Sequence, residues 1–136
     1  MNVRGGCVCG KVRYEIQMDS LADLFLYQCH CGVCRKAFGG TGLAAIVTPG
    51  DGFRWLQGEE ARRWFERPSS WRRAFCVECG SPTPMGDDLG RTFWVPAGGL
   101  DECDGLRVGA HIYLGSCASW DIVADDGALR FEEGME

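Results

Sequence analysis

The sequence predicts a mainly β chain of short antiparallel strands, drawn together at its cysteines. Three observations carry this. Short apolar or alternating runs are separated by turn signals at intervals of roughly ten residues. No stretch sustains a long helical period. Nine cysteines occur in 136 residues, seven of them in C-x-C or C-x-x-C spacing, which suits a metal ion better than a disulfide framework.

The length suits one domain spanning residues 1–136. A hydrophobic fraction of 46% allows a core. The formal charge is −5, which gives no whole-molecule attraction to nucleic acid or an anionic membrane. The odd number of cysteines and the polar start, Met1-Asn2-Val3-Arg4-Gly5-Gly6, argue against a secreted disulfide scaffold and for a reducing, cytoplasmic setting. No apolar run approaches the ~20 residues of a membrane span.

In chain order, Gly5-Gly6-Cys7-Val8-Cys9-Gly10 reads as an opening turn. Its glycines let the backbone curl around a metal. Lys11–Ile16 alternates, so Val12, Tyr14 and Ile16 face a core. Leu24–Gln28 is a second strand and delivers the chain into Cys29-His30-Cys31-Gly32-Val33-Cys34. One helical turn over Cys34–Phe38 ends at the glycines that follow. Leu43–Thr48 is a strand, Pro49–Gly52 a turn, Phe53–Leu56 a strand, and Ala61–Glu66 another before Arg67-Pro68-Ser69-Ser70. Trp71–Phe75 leads into the knuckle Cys76-Val77-Glu78-Cys79-Gly80, with Gly80 suited to a left-handed turn. Ser81–Pro84 breaks regular structure, Thr92–Val95 is a strand, and Pro96–Asp104 is a loop. His111–Leu114 is a late strand, and Gly115–Asp126 runs over the surface. The acidic tail 126–136 is expected to fray beyond Phe131.

The seven clustered cysteines divide as four plus three. Zinc in a structural site closes a tetrahedron of four ligands, and in a catalytic site it keeps one position free. Cys7 and Cys9 with Cys76 and Cys79 make the closed set; Cys29, Cys31 and Cys34 make the open one. Spacing alone leaves the other pairing, Cys7 and Cys9 with the middle cluster, standing. Thiolate softness favours zinc, although iron also takes sulfur. His30 lies between two cysteines in extended chain and so points opposite to them. It is expected to pack or support the site rather than ligate.

The ordered set G-G-C-x-C-G, C-H-C-x-x-C-R-K, F-C-x-x-C-G-S-P and a late H-I-Y followed by S-W and D-D-G resembles the glutathione-dependent formaldehyde-activating enzymes, a family that includes centromere protein V. The resemblance implies an Mss4-like β fold with two zinc ions. It implies a structural zinc on Cys7, Cys9, Cys76 and Cys79 and a catalytic zinc on Cys29, Cys31 and Cys34. It also implies a carbon–sulfur lyase-type activity that joins glutathione and formaldehyde as S-hydroxymethylglutathione. Water and His30 are equal candidates for the proton that reaches the new alkoxide. A homodimer is left open.

Other residues read more plainly. Arg62, Arg63, Arg67, Arg72 and Arg73 form a basic run that suits glutathione's carboxylates but more commonly marks a solvated strand face. Arg35 and Lys36 sit beside the three-cysteine cluster. Cys103 and Cys117 lack partner spacing and read as ordinary thiols. His111 reads as packed, and the five tryptophans as core and rim material, with Trp120 a pocket candidate. The rival class is a non-catalytic zinc module that binds a small thiol or a protein.

Overall fold

The computed structural model describes residues 1–135. Eleven strands and one α-helix follow in the order β1 (Asn2–Gly6), β2 (Arg13–Gln17), β3 (Phe25–Cys29), α1 (Gly32–Phe38), β4 (Leu43–Pro49), β5 (Phe53–Gln57), β6 (Arg62–Glu66), β7 (Arg72–Cys76), β8 (Met85–Gly86), β9 (Thr92–Pro96), β10 (Val108–Ile112) and β11 (Leu129–Arg130). Three sheets result: β1-β2-β5, β11-β10-β3-β4-β9-β8, and the hairpin β6-β7. The mainly β, Mss4-like class expected from the sequence is the class observed. Pairing is antiparallel except for β10, which runs parallel to both β3 and β11.

Alternation places the core. Val12, Tyr14 and Ile16 are all buried. Tyr14 and Ile16, with Val3 of β1, meet Leu26, Ile46 and Val95 from the six-stranded sheet. Burying such side chains contributes roughly 1.5–3 kcal/mol each. The stacked rings of Phe53 and Phe93, 4.0 Å apart, extend this core. Glu15 departs from the alternating pattern. It is buried because Arg4 and Arg54 clasp its carboxylate, and a buried charge without such partners is costly.

Several elements differ from expectation. Gly5 and Gly6 belong to strand β1 rather than to a turn. A Cβ on Gly5 would come within 2.6 Å of both the Tyr14 hydroxyl and the Gly99 carbonyl, so this glycine serves close approach. The turn itself needs only Gly10, at φ 81°. The late strand ends at Ile112, because Tyr113 takes a left-handed φ of 57° and Leu114–Ser116 is a 3-10 turn. Beyond Phe131 the tail stays tied through Glu133: Tyr113, Leu114 and Gly115 donate to the carbonyls of Glu133, Phe131 and Glu132. Glu136 of the expected fraying tail lies outside the described residues. Among the described residues no helix is long and apolar enough to cross a membrane.

Gly42 decides whether β3 can end where it does. A Cβ there would lie 1.9 Å from the carbonyl oxygen of Cys29. Gly42→Ala is expected to lower stability by about 1–3 kcal/mol, the range for overpacking. The open position Gly40 should tolerate alanine with little loss. Denaturant midpoints of the two variants check this, and equal midpoints would contradict it.

Candidate metal centres

Local structure brings the first four cysteines together from two distant turns. In the β1–β2 turn, Gly10 N donates to Cys7 O and Cys7 N to Val12 O, while Val12 N donates to Cys7 Sγ at 3.3 Å. At the end of β7, Gly80 N donates to Cys76 O, and Gly80 takes the expected left-handed φ, 75°. Ser81 joins the two turns. Val8 N donates to its hydroxyl at 3.1 Å, and Cys79 Sγ lies 3.2 Å from the same oxygen. The Ser81 hydroxyl and backbone amide hold the Cys79 thiol down to about 5.

The four sulfurs lie within 4.8 Å of one another. Cys7 and Cys9 are 3.5 Å apart, and Cys9 and Cys76 are 3.8 Å apart. A tetrahedron with Zn–S arms near 2.3 Å has S···S edges of about 3.8 Å. These separations are far beyond a disulfide bond. The donor set therefore fits a zinc-sized, thiophilic ion. The alternative pairing left open by spacing is not the one observed.

The second cluster is built by the β3–α1 junction. Cys29 ends β3. Cys31 is the N-cap of α1, and its Sγ accepts from Cys34 N at 3.3 Å. Cys34 is buried in the first turn of α1. The three thiols again lie within 4.8 Å of one another. The Cys34 thiol, hydrogen-bonded to Cys29, draws Cys29 down to about 6, while that bond and burial push Cys34 up. Side chains of Tyr27, Phe38, Leu43, Trp71 and Ile112 pack around this trio. Burial pushes the Tyr27 phenol up to about 12.

His30 does not face the sulfurs. Its Nδ1 lies 2.6 Å from Asp121 Oδ2, and its Nε2 lies 2.9 Å from Nδ1 of His111. His111 Nε2 in turn meets Asp126 Oδ2 at 2.8 Å. The result is a chain, Asp121–His30–His111–Asp126, with both rings buried. Asp126 is held below the usual carboxylate range by the bond from His111. Sequence reasoning found the packed histidines but missed the chain. The only available signal was the late D-D-G and the aspartate after Trp120.

The remaining candidates separate. Arg35 is committed to the carbonyls of His30 and Ser116. Arg62 is structural: it donates to Thr83 Oγ1 and Pro84 O and lies over the Trp55 ring. Trp120 is 63% exposed. Cys103 and Cys117 stand outside both clusters. Two hollows are lined in part by residues that pack on or lie beside the three-cysteine trio. One, of about 290 Å³, is lined by Tyr27, Phe38, Leu43, Trp71 and Arg73 among others. The second, of about 700 Å³, runs between α1 and the β6–β7 hairpin.

Fold and geometry together define a β protein with one four-sulfur and one three-sulfur cluster. The family model described as glutathione-dependent formaldehyde-activating enzyme matches residues 2–116, and the chain belongs to that family. The chain is also similar to the crystal structure of a Rhodobacter sphaeroides protein solved as a structural-genomics target. That likeness has a TM-score of 0.55 and 19% identity, and covers 94% of this chain and 98% of that one. It is a likeness of fold alone.

Removing one end of the buried chain tests its energetic weight. Asp121→Ala leaves His30 Nδ1 without its partner and is expected to cost about 1–3 kcal/mol. The exposed neighbour Asp125 should accept alanine almost silently. Chemical denaturation of both variants at equal metal load measures the difference, and a silent Asp121→Ala would contradict the chain's role.

Proposed function

We propose that this chain is a zinc-dependent carbon–sulfur lyase-type enzyme that joins glutathione to formaldehyde as S-hydroxymethylglutathione. It acts as one zinc-binding domain over residues 1–136, in the cytoplasm. In this reading Cys7, Cys9, Cys76 and Cys79 hold a structural zinc, and Cys29, Cys31 and Cys34 hold a second zinc at the reacting site. The observation that carries the reading is a three-sulfur cluster whose packed neighbours Tyr27, Phe38, Leu43 and Trp71 also line a hollow, with His30 engaged elsewhere.

Held by Cys29, Cys31 and Cys34, zinc would supply a free position at which an incoming thiol would be kept as thiolate. The chain's own residues do the rest. Cys31 and Cys34 are fixed by the first turn of α1, so the sulfurs need no rearrangement. Tyr27, Phe38 and Trp71 wall the hollow and limit water around the reacting carbon. In the reaction the S–H proton leaves, a C–S bond forms at the aldehyde carbon, and the carbonyl oxygen takes up one proton. His30 is itself fixed between Cys29 and Cys31, since its N donates to Ile112 O and Arg35 donates to its carbonyl, while its ring is anchored in the Asp121–His30–His111–Asp126 chain.

Two outcomes test this. Purified zinc-loaded protein is expected to accelerate S-hydroxymethylglutathione formation, and Cys31→Ser to return it to the uncatalysed rate. Initial rates measure both, and wild-type protein matching the uncatalysed reaction would contradict the reading. The two clusters should also respond unequally to ligand loss. Apparent zinc binding in structural sites is worth about 10–16 kcal/mol, more than most domains' total stability of about 5–15 kcal/mol. Cys76→Ser is therefore expected to abolish cooperative unfolding. Cys31→Ser should unfold cooperatively and carry one zinc where wild type carries two, as elemental analysis with thermal melts will show.

A further inference from the structure

The basic run on the β6–β7 hairpin resolves into residues with very different surroundings. Arg62 is spent on structure, and Arg63 donates to the carbonyls of Glu60 and Arg62. Arg72 has only a 3.9 Å approach to the exposed Asp88. Arg73 is unlike these. Its Nη2 donates to Gly80 O at 3.2 Å, and its guanidinium stands 5.3 Å from the centre of the Phe38 ring and 5.7 Å from that of Phe75. Its Nε is buried and is the one such side-chain atom, among the described residues, without a hydrogen-bond partner. Leaving a buried donor of a charged group unmade is expensive.

Arg73 also lines both hollows beside the three-sulfur trio, as Trp71 does. The larger groove carries Arg35, Lys36, Arg67 and Arg73, and among the described residues that line it none is acidic. This is a cationic groove on a chain of net charge −5, so it is a local feature and not a reflection of overall charge. It sits between α1, which carries Cys34, and the hairpin. Ser70, at the lip of the smaller hollow, holds a left-handed φ of 69°, and in that turn Arg67 N donates to Trp71 O. A strained turn thus leads into Trp71, which packs against the trio, and into Arg73 two residues on.

We propose that Arg73, whose side chain lines both hollows, sets the thiol specificity of this site by receiving a substrate carboxylate on its guanidinium. Lys36 and Arg67 on the same groove add to its attraction for anionic groups. The assignment rests on the reading that a thiol docks at Cys29, Cys31 and Cys34. An arginine fork matches a carboxylate in plane, and the apolar surroundings of Phe38 and Phe75 strengthen the bond.

The test is a binding cycle on the zinc-loaded protein, read by calorimetry. Glutathione and its diethyl ester, which lacks both carboxylates, are titrated into wild type, Arg73→Gln and the control Arg63→Gln. Esterification is expected to weaken binding to wild type and to Arg63→Gln by about tenfold or more, the factor carried by an ionic hydrogen bond. In Arg73→Gln the ester penalty should shrink to the smaller, severalfold share left by Lys36 and Arg67. An ester penalty of equal size in wild type and Arg73→Gln overturns the assignment, while leaving thiol docking intact. Binding of neither ligand to wild type removes the docking reading and the assignment with it. Should Arg73→Gln lose its metal or its fold, Lys36→Glu on the exposed face of α1 answers instead. It should weaken glutathione severalfold and spare the ester, and equal effects on both ligands count against the proposal.

Discussion

The convergence of four thiols from two turns far apart in sequence is the constraint on which the rest of the structure depends. Cys7 and Cys9 sit between β1 and β2, and Cys76 and Cys79 follow β7. Their convergence to within 4.8 Å of one another ties the three-stranded sheet to the β6–β7 hairpin, which is paired to neither of the other sheets. Close approach of four sulfurs is unfavourable when they are charged and uncompensated, so the geometry suits a cation among them. Ser81 links the turns by accepting from Val8 N and lying beside Cys79. The hairpin so anchored includes Trp71, which packs on the second cluster, and carries Arg73.

That second cluster is supported differently. Its three sulfurs come from a single junction, so chain connectivity already keeps them close, and the surroundings fix their directions. The parallel pairing of β10 with β3 places His111 beside the residues that lead into Cys29. From there the Asp121–His30–His111–Asp126 chain reaches into the C-terminal segment. A polar network in which each ring nitrogen has a partner rigidifies its neighbourhood, and here it turns the histidine of C-H-C away from the sulfurs. The C-terminal strand β11 and the tail pack onto the same edge. What looked like a loose acidic tail is part of the support for the cluster.

Features whose signal is local were legible in the sequence. Alternation gave the buried face of β2, the Pro-Gly and Gly signals gave the turns, and cysteine spacing gave both clusters as groups. Strand β1 was missed because its glycines speak for a turn; only Tyr14 and Gly99, far along the chain, explain why they are needed in a strand. β8 and β11, of two residues each, are too short to carry a period. The histidine chain was hidden because its partners stand 81 and 91 residues apart from His30. The arginine run was visible, but its division into structural and site-facing members depends on Thr83, Trp55 and Phe38, which no spacing rule connects to it.

The central claim is an unequal division of sulfur, one ion enclosed by four thiolates and one left with a vacancy that a substrate thiol fills. The most direct measurement is the absorption spectrum of the cobalt-substituted protein during titration with glutathione. The account predicts two cobalt ions per chain, one already in a four-sulfur environment. It predicts that glutathione converts the other, and only the other, to four-sulfur coordination with a saturable rise in sulfur-to-metal charge transfer. A spectrum that shows four sulfurs at both ions before any thiol is added, or that glutathione leaves unchanged, would contradict it.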